Sequence, residues 1–189
     1  DVRRILLNEH KPRRVCPLPE AHELDCYFDL EGDPLLGGPR GREYLWGIAH
    51  RENGTLAFDA AWAHDAMAER EACRCFVESI EQRFDESEGR AHAYHYGAYE
   101  RSALRRVAAG DADLERKLES LGARGAFVDL YSVVKRTLLV GEPRYSLKNV
   151  EKLYRGKRNN SEVNDAVGSV VGYELWLANR DPSLLDELV

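Results

Sequence analysis

Two acids one residue apart, Asp29 and Glu31, close the apolar run of CYFDLEGDPL (26–35), and Gly-Asp-Pro follows as a turn signal. In a β-strand alternate side chains share a face. The two carboxylates are therefore expected side by side, about 7 Å apart along the chain at ~3.4 Å per residue. Two negative charges held so close are costly unless something positive lies between them. A divalent cation bound through oxygen, Mg²⁺ or Mn²⁺, meets that need. A strand end hydrated in solvent meets it with no site at all.

A second stretch, AYHYGAYERSAL (93–104), puts another acid at a junction of elements. A strand is expected to end at His95 or Tyr96, Gly97 breaks it, and Glu100 falls in the first turn of the helix that follows. In a sheet flanked by helices, strand ends and the next helix starts are where sites assemble. An acid in a first helical turn also stabilises the helix on its own, by about 0.3–1 kcal/mol.

The elements that must position these acids follow from periodicity. LDCYFDLEG, EYLWGIAHR (43–51) and TLAFDAAW (55–62) read as strands, joined by the loop GGPRG (37–41) and the tight turn ENG (52–54). Short turns of this kind predict an antiparallel meander. In the second strand, Tyr44, Trp46 and Ile48 are expected on one face and Leu45 on the other. From His64 to Glu86 there is no Gly or Pro, and Cys73, Phe76, Val77, Ile80 and Phe84 recur at helical spacing, which predicts a long amphipathic helix. RAHAYHYG (90–97) reads as a fourth strand, followed by helices over 98–108 and 111–122. GAFVDLYSVV (125–134) reads as a fifth strand running into a helix, with Asp129 as a strand-end acid or the cap of that helix. Helices are expected over 145–155, 165–179 and from 181 onward, with a polar loop at 156–162. Residues 1 to about 20 read as an arm or linker with one short helical turn. The order predicts an α/β fold, a mixed sheet flanked by helices.

The bulk numbers bound the reading. The 189 residues fit one domain, 43% hydrophobic and 32% charged, with a formal net charge of −6. No run approaches the ~18 apolar residues of a membrane span, and the start lacks the apolar segment of a signal peptide. Cys16, Cys26, Cys73 and Cys75 form no CxxC pair and read as reduced, cytoplasmic thiols. Cys73 with Cys75 and His92 with His95 have spacings that turn the paired side chains to different sides of a helix or strand, which argues against zinc. No phosphate-binding Gly-rich loop and no nucleophilic Ser motif occurs. The acidic balance argues against wrapping nucleic acid over the whole surface, but not against a local grip. Basic residues cluster at Arg3, Arg4, Lys11, Arg13 and Arg14, and again at Lys148, Lys152, Arg155, Lys157 and Arg158. Each cluster is either a solvated face or a phosphate contact.

Together, YFDLEGDPL, AYHYGAYERSAL and YSLKNVEKLY resemble the DEDD 3′–5′ exonuclease superfamily, whose members have a ribonuclease H-like fold. They look closest to the ribonuclease H-like domain of bacterial RecB-like nuclease family proteins. The resemblance runs from about residue 22 to the end and implies an arm over 1–21 and a nuclease domain over 22–189. It implies three antiparallel strands followed by parallel ones. It also implies phosphodiester hydrolysis by two Mg²⁺ or Mn²⁺ ions, with Asp29 bridging, Glu31 on the ion nearer the water, and Glu100 at the second motif. Glu100 stands where the superfamily has Asp, with His95 where Asn often stands and Tyr99 at the aromatic position. The superfamily takes a fourth carboxylate and a general-base Tyr from a late helix in a Tyr/His-x-x-x-Asp pattern, which is expected beyond LLDELV; the domain is therefore expected to be cut short at its C-terminus and inactive or very slow, and of the acids that could substitute within the chain Asp165 reads rather as a helix cap and Asp186 as a surface acid. Nucleic-acid contacts are expected at His95, Tyr99, Tyr145, Lys148, Lys152 and Arg155, with Tyr154 a further stacking residue. The implied partners are single-stranded 3′ ends and covalently linked helicase or nuclease domains. Two other readings stay open: a binding module on the same fold, and an unrelated α/β domain with solvated acids.

Overall fold

The computed structural model describes residues 5–7, 18–154, 166–186 and 188. Arg155, Asp165, the basic residues of the arm and the polar loop 156–162 lie outside them.

The meander forms as expected. β2 (Cys26–Asp33), β3 (Arg42–Glu52) and β4 (Thr55–Trp62) pair antiparallel, and Asn53 and Gly54 both take positive φ in the β3–β4 turn. That is the geometry that matches the twist of two strands joined by two residues. β5 (Ala93–His95) and β6 (Phe127–Asp129) then add in parallel, giving the order β4-β3-β2-β5-β6. This mixed sheet of antiparallel and parallel strands flanked by helices is the ribonuclease H-like arrangement.

One sheet face is buried under three helices: α1 (Ala66–Glu86), α2 (Tyr99–Ala108) and α3 (Ala112–Ala123). Asp65 starts α1 by accepting from the amides of Met67 and Ala68 at 2.9 and 2.8 Å, which satisfies two of the free N–H groups of its first turn. Phe76, Val77, Ile80 and Phe84 of α1 meet Phe28, Leu30 and Trp46 of the sheet and Leu104, Leu114 and Leu118 of α2 and α3. Each large apolar side chain buried there stabilises the fold by about 1.5–3 kcal/mol. Cys26, Phe28 and Leu30 point into this core, while Tyr27, Asp29 and Glu31 point to the other face, as strand alternation requires.

Among the described residues, the second face is covered only in part. Tyr44, Leu45, Tyr173 and Trp176 form a separate cluster under α6 (Ala166–Asn179), joined by Leu184 and Leu185 of α7 (Ser183–Asp186). Here the strand expectation needs correction. A bulge opposite the Glu31–Gly32 step leaves Tyr44 without a partner on β2. The extra residue turns Tyr44 to the same side as Leu45, away from Trp46. Stacked on Tyr173 at 4.0 Å, Tyr44 anchors α6 to the sheet.

Two further expectations are corrected. Residues 5–7 form β1 (Ile5–Leu7) rather than a helical turn, because they pair with β7 (Leu138–Val140) far along the chain. β7 follows α4 (Leu130–Thr137), and the helix expected over 145–155 shortens to α5 (Leu147–Glu151). A five-residue helix gains too few internal hydrogen bonds to propagate alone. No helix among the described residues is long and apolar enough to cross a membrane.

Candidate active site

The parallel strands β2, β5 and β6 bring Asp29, His95 and Asp129 to the same end of the sheet, with His95 and Asp129 in register. Gly97, at φ +108°, lets the chain turn straight from β5 into α2. Glu100 in the first turn of α2 is thereby swung back over the strand ends, only 5% exposed. Asp29, His95, Glu100 and Asp129 line one cavity of about 960 Å³.

The electrostatics are those of acids short of a cation. Burial raises the Asp29 carboxyl above its usual range and the charge of Glu100 raises it further, against the amide of Leu30, which donates to Asp29 Oδ1 at 3.0 Å. Glu31 is pushed up to about 7 by burial and by Asp29, with Glu43 adding to the shift and a hydrogen bond from Ser169 opposing it. Glu100 Oε2 is buried with no hydrogen-bond partner, 3.7 Å from His95 Nδ1, which also lacks one. A buried carboxylate oxygen without a partner is costly, and hard divalent ions are bound through such oxygens. The residues therefore fit a divalent cation in donor chemistry.

They do not form a closed cage. Among the described residues, no three of His, Cys, Asp and Glu are grouped to hold an ion. Asp29 is coupled to Glu100 on one side and to Glu31 on the other. Glu31 leans toward Ser169 of α6, whose hydroxyl is also 2.7 Å from Tyr44 Oη. Three carboxylates repel one another, and a hydroxyl that donates to one of them draws it aside.

Behind Glu31 lies a network that periodicity did not reveal. Glu43, 4% exposed, accepts from Tyr99 Oη at 2.8 Å and from Arg106 Nη2 at 2.7 Å; Arg106 also reaches Glu69 at 3.1 Å. Glu69 Oε1 in turn accepts the Glu43 amide at 2.8 Å. The network joins β3, α1 and α2. It fixes Tyr99, the neighbour of Glu100, so the first turn of α2 is held from below. Gly32 is required beside it, because a Cβ there would stand 2.1 Å from Glu43 Oε2. The only sequence signal was the spacing of Tyr99 and Arg106, two turns apart on one helix face.

Asp129 caps α4, as its position suggested, and does more. It accepts from the Tyr131 amide at 3.0 Å, from the Ser132 hydroxyl, and from the Gly97 amide at 2.9 Å. Burial pushes its carboxyl up, but the Ser132 hydroxyl, the two amides of Gly97 and Ser132, and His95 outweigh burial and hold it below the usual range. It ties α4 to the turn that launches α2.

The other expected contacts disperse. Ser146 and Leu147 line the cavity, and Lys148 follows them on α5, exposed. Tyr145 donates to the Leu138 carbonyl at 3.2 Å, while its own carbonyl accepts from Tyr96. Lys152 is bound to Glu142 at 3.2 Å and Asn149 at 2.9 Å rather than turned toward the acids. Tyr154 is exposed, and Asp186 is exposed on α7.

The RNase_H_2 family model, of the RNase_H superfamily, matches residues 26–189. No curated protein and no solved structure matches the chain significantly. Since the match begins at the first residue of β2 and takes in both acidic stretches, the chain belongs to the RNase_H_2 family of the RNase_H superfamily.

Proposed function

We propose that this protein is a metal-dependent 3′–5′ exonuclease domain of the DEDD type, akin to the RecB-like nucleases, acting on single-stranded DNA or RNA as part of a larger, cytoplasmic DNA-processing protein. Superfamily membership makes it nuclease-like; such domains are generally nucleolytic hydrolases that act on nucleic acid and use divalent metals such as Mg²⁺. The finer reading rests on one observation: Glu100 Oε2 is buried without a partner in the cavity that Asp29 also lines, at the ends of parallel strands.

In this reading Asp29, Glu31 and Glu100 would hold Mg²⁺ or Mn²⁺. Such ions stabilise the negative charge that gathers on phosphate and leaving oxygen. The chain's own part is to bury Glu100 and to hold the acids in place around an opening that a strand can reach. Phe28 and the core beneath it exclude water from one side of Asp29. The Tyr99–Glu43–Arg106 network holds the helix that carries Glu100. Glu31, whose carboxyl is raised to about 7 by burial and by Asp29, would hold the cation in its deprotonated form.

The test uses a 5′-labelled single strand with Mg²⁺ or Mn²⁺. A slowly forming ladder of 3′-shortened products is expected from the wild type. Asp29→Asn should slow it by at least about 100-fold, ~2.7 kcal/mol of transition-state stabilisation. Equal rates for the two proteins would place hydrolysis elsewhere. The absence of a three-ligand group among the described residues favours a second reading, a nucleic-acid-binding module without catalysis. Binding of the strand with no cleavage in either metal would select it.

A further inference from the structure

The sheet face that carries Asp29 is open between two aromatic rings. Cross-strand register puts Phe58, Ala49 and Tyr27 in one row, and Ala60, Gly47 and Asp29 in the next. The row after that, with Leu45 and Glu31, lies under α6. Among the described residues, cover on this face therefore stops just short of Asp29.

What remains is a trough. Its floor is Gly47 and Ala49, and the strands that bear Phe58 and Tyr27 lie on either side, about 10 Å apart across two strand spacings. Phe58, 51% exposed, leans over the floor so closely that a Cβ on Gly47 would stand 3.0 Å from its ring. Tyr27, 49% exposed, stacks on buried Tyr94 at 5.1 Å and 21°. Two large aromatic faces are thus left to solvent beside the acids, each braced from below.

The charge around the trough says what it can take. The described residues that line the cavity include Asp29, Glu100 and Asp129 and no Lys or Arg. A phosphate resting there would be repelled. A flat, uncharged π-face would not, and stacking on an aromatic side chain is sequence-tolerant because every base has one. Bases inside a duplex are stacked on both faces already and have none to offer.

We propose that the trough between Phe58 and Tyr27 holds an unpaired nucleobase of the substrate strand by stacking, so that single-strand selectivity comes from this face rather than from basic residues. The occupant is inferred on the nuclease reading of Asp29. Its test does not depend on hydrolysis.

Binding is measured by fluorescence anisotropy in chelator, where no metal acts, with a labelled short oligothymidylate, the same backbone without bases, and a duplex. The base-free strand and the duplex should each bind at least about tenfold more weakly. Phe58→Leu, which keeps apolar bulk but loses the π-face, should lower oligothymidylate affinity by about tenfold, and Phe58→Trp should retain it. Because Phe58 is half exposed, both variants should fold, which a melting curve checks. Asp29→Asn should bind at least as tightly as the wild type. Equal binding of strands with and without bases, wild-type affinity in Phe58→Leu, or no binding to any strand overturns the proposal. A concentration-dependent dimer abolished by Phe58→Leu, without base-dependent binding, overturns it in favour of a second copy of the chain on this face. Base-dependent binding through Phe58 with no cleavage in Mg²⁺ or Mn²⁺ upholds the trough and sinks the exonuclease reading.

Discussion

His95 Nδ1 stands 3.7 Å from Glu100 Oε2, and neither atom has a hydrogen-bond partner. The pair is nearly sealed from solvent, at 4% and 7% side-chain exposure. It is a place where the fold tolerates an unmet polar demand at the meeting point of β5, α2 and the end of β2. Unmet demand of this sort costs stability and is kept where a ligand or a reaction needs it.

Glu100→Gln should separate that stability cost from function. The neutral amide keeps the shape and removes a charge from beside Asp29. In chelator the variant is expected to unfold within about 0.5 kcal/mol of the wild type or to be more stable by up to ~2 kcal/mol. Strand hydrolysis in Mn²⁺ should fall by at least about 100-fold. A loss of more than about 2 kcal/mol in a denaturant titration would make Glu100 a structural acid instead.

Metal-free stability should depend on pH through Glu31. Its carboxyl is raised in the folded protein from 4.5 to about 7, so between those values the native state binds more protons than the unfolded one. By linkage the extra stability is fully present below the unfolded value and is lost as pH rises through about 7. Asp29, also raised, acts in the same direction. Melting temperatures in chelator should therefore fall from about pH 5 to pH 7.5. Solvent on the open side of the site screens the charges, leaving an effect of about 1–2 kcal/mol. Glu31→Gln should flatten the profile, and a profile as steep as the wild type's would remove Glu31 as its source.

Arg106 holds two acids that meet no other cation among the described residues. Arg106→Met should leave Glu43 and Glu69 uncompensated in a buried place and cost about 3–5 kcal/mol in urea denaturation. Adding Glu43→Gln should regain a large part of that loss, because the remaining group no longer needs a counter-charge. If the double variant is no better than the single one, packing rather than charge explains the cost.

Gly32→Ala tests the same network sterically. The new Cβ would stand 2.1 Å from Glu43 Oε2 and 2.6 Å from Tyr99 Oη, so the Tyr99–Glu43 bond must open. A destabilisation of about 2–4 kcal/mol is expected. Where folding survives, hydrolysis should fall with it, since Tyr99 and Glu100 share the first turn of α2. Wild-type stability would mean that the β2 end gives way freely.

Local pattern was enough for the acids and their carriers. Alternation along CYFDLEGDPL put Asp29 and Glu31 on one face because strand side chains repeat every two residues, whatever lies around them. Helical spacing marked α1, and Gly97 before Tyr99 and Glu100 marked the β5–α2 turn. The three-strand meander followed from turns of two to a few residues, whose chemistry is local. These features depend on neighbours in the chain, so the chain alone determined them.

Tertiary structure decided what the acids meet. The bulge that turns Tyr44 toward α6 exists because Glu31 and Gly32 pair with Leu45 and Glu43 across it, and no pattern within β3 announces the extra residue. Ser169 reaches Glu31 from 138 positions further along, and Arg106 reaches Glu43 from 63. The β1–β7 pair and the shortened α5 arise in the same way, from contacts that outweigh local preference. Even the open trough beside Asp29 is a matter of where α6 stops. Burial, pairing of charges and cover over a sheet face are sums over distant segments, and for that reason they appear only once the chain is folded.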